Sequence, residues 1–143
     1  VIVDGLYYRD PNIMQSPFAH GLRSNYLATL QNFVELCVPE PDSEHIKRWG
    51  VKILGRASQA EALALLQVGV GLDLRPELPQ IGQPALVIHG ERDAIVSLAE
   101  GQALAQALPN AQLEIIAGAG HVPTITRPAE LAALIDRFCA TLP

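Results

Sequence analysis

"PALVIHGERDAIVSLAEGQALAQALPNAQLEIIAGAGHVP", residues 84–123, sets one amphipathic run between two short apolar runs, and each apolar run ends in a glycine-bearing loop. Pro84–His89 is apolar, rich in β-branched residues and bounded by Pro and Gly, which predicts a buried strand. Ser97 and Glu100 head the alanine- and leucine-rich run at the spacing of a reciprocal helix cap. That helix stops at Pro109 and Asn110, and Gln112–Ile116 reads as a second strand. A final helix has Pro128 near its first position, Glu130 in its first turn, and Leu131, Leu134, Ile135 and Phe138 on one face. Strand, helix, strand, helix implies parallel strands joined by crossover helices, an α/β fold. Strands of such a sheet are expected to be apolar on both faces.

Upstream, Val1–Asp4 reads as a further short strand closed by Gly5. The stretch "LYYRDPNIMQSPFAHG" is polar and proline-punctuated, hence loop-like. Three helical patterns follow, Ser24–Val38, Ser43–Ala57 and Ser58–Val68. The first carries Leu27, Leu30, Phe33, Val34 and Cys37 at helical spacing. Ser43 is a plausible N-cap, and Ser58 with Glu61 repeats the capping-box spacing. A Gly- and Pro-rich linker then leads to the strand at 84. The helical region is therefore an excursion between the first and second strands.

The composition narrows the function classes. Ten basic against 15 acidic residues give a net charge of −5, which argues against a nucleic-acid partner. No apolar run approaches the roughly 18 residues of a membrane helix. Cys37 and Cys139 are too few for a disulfide framework, which fits a reducing compartment such as the cytoplasm. The four histidines, 20, 45, 89 and 121, show no zinc-site spacing, so no metal or other cofactor is called for.

Carboxyl ends of parallel strands share one edge, where open α/β sheets place their ligands. Asp4, the loop "GERD" and the loop "GAGH" all leave that edge. Asp93 and His121 come from successive strands, with room for one helix and one strand between them. A carboxylate that orients an imidazole, leaving its second nitrogen to take a proton, is two thirds of a hydrolytic triad. Gly118 and Gly120 flank the histidine loop with backbone freedom, and Pro123 stiffens its exit. The competing readings are a turn-closing Asp93, a merely satisfied loop His121, and Asp4 as the acid instead. His89, at the end of its strand, is expected to be structural.

Residues 84–138 resemble the C-terminal third of the α/β-hydrolase fold family. Gly90–Asp93 matches that family's G-x-x-D acid motif, and Gly120–Pro123 matches its G-H-x-P histidine motif. The resemblance implies catalytic roles for Asp93 and His121, and a core of residues 1–5 and 71–143 interrupted by a helical lid at 6–70. It implies ester hydrolysis without a cofactor. "LDLRPEL" and "GHVPTITRPAEL" look most like the carboxylesterases of biotin synthesis, which act on the methyl ester of a pimeloyl chain carried by acyl-carrier protein. Haloperoxidases, enol-lactonases, C–C hydrolases and dehalogenases of this fold share most of these features.

None of the five serines (16, 24, 43, 58, 97) lies in G-x-S-x-G or follows a strand as a nucleophile elbow must. The nucleophile, whether Ser, Cys or Asp, and the oxyanion hole are thus expected in a preceding half of the same enzyme. A non-catalytic fragment serving as a binding surface is the alternative of another class. Arg48, Lys52 and Arg56 recur every fourth position, a basic stripe that is either a solvated face with a Glu44–Arg48 pair or a dock for an acidic carrier protein.

Overall fold

The computed structural model describes residues 1–142. Three strands, β1 (Ile2–Val3), β2 (Ala85–Gly90) and β3 (Ala111–Ile116), form one parallel sheet in the order β1-β2-β3. The expected strands are all present, displaced by at most a residue at their ends. β2 is central and buried almost throughout. Its side chains alternate between two apolar layers, as a pleated strand requires. Leu86 and Ile88 pack with Ile116, Leu134 and Phe138 beneath helix α7 (Pro128–Cys139), once helices are numbered along the chain. Val87 packs with Leu104, Leu108 and Leu78 beneath α5 (Leu98–Ala107) on the opposite face.

The expectation that all three strands are apolar on both faces fails for β3, where Gln112 and Glu114 share the face of Ile116. Gln112 is exposed and Ile115 is 44% exposed, while Ile116 joins one apolar layer and Leu113 packs against the other.

The excursion holds four helices, α1 (Pro17–Ser24), α2 (Tyr26–Cys37), α3 (Glu44–Leu54) and α4 (Gln59–Gln67). The pattern that predicted one helix from Ser24 missed α1. There the Ser16 hydroxyl accepts the Ala19 N–H and Pro17 takes a first-turn position, where its lack of an N–H costs nothing. A proline that reads as a breaker is here a helix start. Leu27, expected inside, is 64% exposed, while Leu30, Val34 and Cys37 are buried. Ser43 occupies the N-cap position of α3 without capping it, since its hydroxyl turns back to the Pro41 carbonyl. The Ser58–Glu61 and Ser97–Glu100 boxes are both formed.

Entry to and exit from the excursion are tied together. Arg9 N–H donates to the Leu72 carbonyl at 2.8 Å, and Leu74 N–H to the Tyr7 carbonyl at 3.0 Å. Arg75 grips Asp73 through two hydrogen bonds and lies 4.3 Å from the centre of the Tyr8 ring.

The amphipathic burial of α7 makes a direct contrast available. Phe138→Ala is expected to destabilise by about 3–5 kcal/mol in denaturant unfolding. Cys139→Ser, on the exposed face next to it, is expected to change stability by less than about 0.5 kcal/mol.

Candidate active site

Parallel strands that end together bring their following loops together, and the three carboxyl-end loops meet here. Asp4 follows β1 with its N–H bonded to the Ile88 carbonyl at 3.0 Å. The acid loop follows β2, and the histidine loop follows β3 and runs into the short α6 (Pro123–Thr126). The last two are stitched by backbone, with Arg92 N–H donating to the Ala119 carbonyl at 2.8 Å. Gly118 takes a φ of +69°, a conformation that favours glycine. Gly120, expected to supply the same freedom, does something else. A side chain there would collide with Pro39 and the Cys37 carbonyl.

Asp93 and His121 are brought into direct contact. His121 Nδ1 lies 2.8 Å from Asp93 Oδ2, with the carboxylate buried and the imidazole side chain 24% exposed. The other Asp93 oxygen accepts N–H groups of Ile95 (2.7 Å) and Val96 (3.0 Å). The turn-closing role and the imidazole-orienting role of Asp93 therefore coexist. Burial alone would raise its carboxyl, but the bonds from His121, Val96 and Ile95 outweigh that and hold it below the usual value of 3.8. The same bond from Asp93 raises His121 above 6.5, against the opposing effect of burial.

Asp4 sits beside this pair without bonding to His121. Its Oδ1 accepts the Gly90 N–H at 2.9 Å, and burial raises its carboxyl. Asp4, Asp93 and His121 each offer one ligand atom within 4.8 Å of the others. Within this cluster the one hydrogen bond is that between His121 and Asp93. His89 is fully buried, its Nε2 bonded to the Val96 carbonyl at 2.9 Å, so it braces the acid loop from inside.

With Nδ1 engaged, Nε2 is the ring nitrogen left for chemistry. His121 lines a cavity of about 360 Å3, walled by Phe33, Val34, Ile46, Trp49, Ile53 and Ile125. Trp49 and Ile53 face this space and are 51% and 40% exposed. Cys37 also lines it, yet burial, with Asp93 adding to it, pushes its thiol up to about 12. A thiol that stays protonated is a poor nucleophile.

The basic stripe lies away from the pair. Arg48, Lys52 and Arg56 are exposed, and Arg56 falls in the turn beyond α3 rather than on it. The expected Glu44–Arg48 pair is replaced by Lys47, which bridges Glu44 (3.0 Å) and Glu35 (2.7 Å). Sequence reasoning passed over Glu40, which is 2% exposed and bonds the histidine loop. Its one signal was a charged residue between two prolines.

The family described as the alpha/beta hydrolase fold matches residues 9–128. This chain belongs to the α/β-hydrolase fold family. It is 33% identical over 124 residues to a pimeloyl-[acyl-carrier protein] methyl ester esterase of Nitrosomonas europaea, covering 83% of this chain and 49% of the relative. The esterase of the same name from Stenotrophomonas maltophilia is 33% identical over 129 residues, covering 87% and 50%. The chain thus spans about half the length of these relatives. Among solved structures, a bromoperoxidase from Bacillus anthracis superposes with a TM-score of 0.78 at 26% identity, over 92% of this chain and 49% of that one. An enol-lactonase from Burkholderia xenovorans LB400 has the same fold, with a TM-score of 0.81 at 23% identity over 96% and 54%. Among the described residues no helix is long and apolar enough to cross a membrane.

The raised His121 value fixes the sign of one pH effect. The stability that His121 contributes is complete below 6.5, its ordinary value, and is lost as pH rises through its raised folded value. An NMR titration of the His121 ring is expected to give a midpoint above 6.5, and Asp93→Asn to move that midpoint down. A midpoint unmoved by Asp93→Asn would show that the bond does not govern the imidazole.

Proposed function

We infer that this chain supplies the acid and the base of a hydrolase that cleaves carboxylic esters, with a nucleophile contributed by a segment outside these 143 residues. The observation that carries this reading is the 2.8 Å Asp93–His121 bond, which turns Nε2 loose at the wall of an apolar cavity. His121 Nε2 takes the proton of the nucleophile as it attacks the ester carbonyl. When the tetrahedral intermediate collapses, the same nitrogen returns that proton to the departing alcohol. Water then repeats the sequence, releasing the acid and the nucleophile. Asp93 stays ionised throughout and stabilises the imidazolium. Its depressed value suits that task, as the raised one of His121 suits a base near neutral pH.

Residues 6–70 act as the lid, and α2 and α3 form the wall against which the apolar part of the substrate lies. The substrate in the relatives' names supports a pimeloyl-type acyl chain on a carrier protein. Arg48, Lys52 and Arg56, exposed on an acidic chain and paired with no carboxylate among the described residues, suit a dock for an acidic carrier.

In the protein that carries both this chain and the nucleophile, His121→Ala is expected to lower turnover of a p-nitrophenyl ester by about 10³-fold or more. Asp93→Asn is expected to cost up to about 10⁴-fold, by favouring the wrong tautomer. Retention of a tenth of the activity by His121→Ala would remove this reading. A crippled Asp4→Asn beside a mild Asp93→Asn would move the acid to β1. The 143 residues alone are expected to show no ester turnover.

Charge reversal at Arg48 and Lys52 separates docking from a solvated face. KM for a carrier-bound ester is expected to rise while that for a small ester stays put. Equal effects on both would leave the stripe as solvated surface.

A further inference from the structure

All four N–H groups of residues 118–121 are bonded, and two of their acceptors come from the helical excursion rather than from the sheet. Gly118 N–H donates to Glu91 Oε2 at 2.8 Å, and Ala119 N–H to the Ile116 carbonyl at 3.3 Å. Gly120 N–H donates to Glu40 Oε1 at 3.0 Å, and His121 N–H to the Cys37 carbonyl at 2.9 Å. Glu40 Oε1 also accepts the Thr126 hydroxyl at 2.6 Å, so one carboxylate oxygen holds the chain on both sides of the histidine. Its other oxygen, Oε2, is buried and has no partner among the described residues.

Keeping a carboxylate out of water with one oxygen unsatisfied is costly, and packing alone would be better served by an apolar side chain. Glu40 is held in place by its flanks. Pro39 packs against Gly120, and Pro41 restricts Glu40 itself to extended backbone. A side-chain acceptor oxygen is thus aimed by the excursion at the loop that carries His121.

We propose that Glu40 is a positioning residue of the hydrolase, acting through Gly120 and Thr126 to keep His121 in register with Asp93 and to lock the excursion onto the histidine loop. This rests on the reading of His121 as the base. The effect runs through geometry. Loss of the bond strands a buried N–H next to the catalytic residue, and a displacement of about 1 Å at a reacting group costs on the order of 10²-fold in rate.

The test uses the protein that carries both this chain and the nucleophile, with a small ester, and reads kcat, KM and the Nδ1 proton of the His121–Asp93 bond by NMR. Glu40→Ala is expected to lower kcat by about 10- to 100-fold with KM within threefold, and to broaden that proton signal. Glu40→Gln keeps an acceptor oxygen and is expected to retain kcat within about threefold, which a requirement for negative charge would not allow. A folded Glu40→Ala with unchanged kcat and a sharp Nδ1 proton would overturn the proposal, as would a loss confined to KM. If Glu40→Ala does not fold, Thr126→Val decides, since it removes one of the two donors and leaves the Gly120 bond. A kcat loss of about threefold or more supports the proposal, and wild-type kcat overturns it. His121→Ala in the same series keeps the two readings apart. Should it remain active, the base assignment fails; should it be inactive while the Glu40 and Thr126 variants behave as wild type, only Glu40 is misassigned.

Discussion

At Gly120 the backbone is packed on both sides. The end of β2 at Gly90 lies against the carbonyls of Ala119 and Gly120, so closely that a side chain at Gly90 would strike both. On the other side Pro39 and the Cys37 carbonyl close on Gly120 itself. Three segments distant in sequence thus meet backbone to backbone, which only residues without side chains permit. The position of the imidazole follows from this stack. With the acid loop pressed on one side and the return of α2 on the other, His121 is carried to within a hydrogen bond of Asp93.

The electrostatics divide labour between two carboxylates a few ångströms apart. Asp4 and Asp93 both lie in loops that leave the carboxyl ends of strands, and both are buried. Asp93 gathers two backbone N–H groups and an imidazole, whereas Asp4 gathers one N–H and its Oδ2 has no partner among the described residues. Desolvation therefore dominates at Asp4 and hydrogen bonding at Asp93, and the two groups move in opposite directions. Pairs of titratable groups pushed apart by their surroundings are how one site keeps one carboxyl ionised beside another.

The helical excursion has two roles that depend on one another. Through α2 and α3 it builds an apolar wall facing His121, and through residues 37–40 it supplies acceptors to the loop that holds His121. The neck that joins Tyr7 and Arg9 to Leu72 and Leu74 closes the excursion into a unit. A shift of that unit would alter both the apolar wall and the position of the His121 ring.

Much of this was legible from local chemistry. Short apolar runs, helical patterns, capping boxes at Ser58 and Ser97, and glycines at strand ends located the strands, most helices, and the loops bearing Asp93 and His121. Parallel strand order then required those two residues to share an edge. What local pattern left undecided was every choice among equals. Asp4 and Asp93 both follow strands, and only the direction of the loop after β2 brings Asp93, not Asp4, to Nδ1. Pro17 reads as a breaker until a Ser16 cap makes it a helix start. Trp49 and Ile53 line a cavity shared with His121, because α3 packs against α2 and the histidine loop closes the other side of that space. Glu40, between prolines in a charged turn, carries no periodic signal, since its burial depends on a partner 80 residues away. Patterning reports which residues prefer to leave water; which buried polar group finds which partner is settled by contacts between distant segments, and those exist only once the chain has packed.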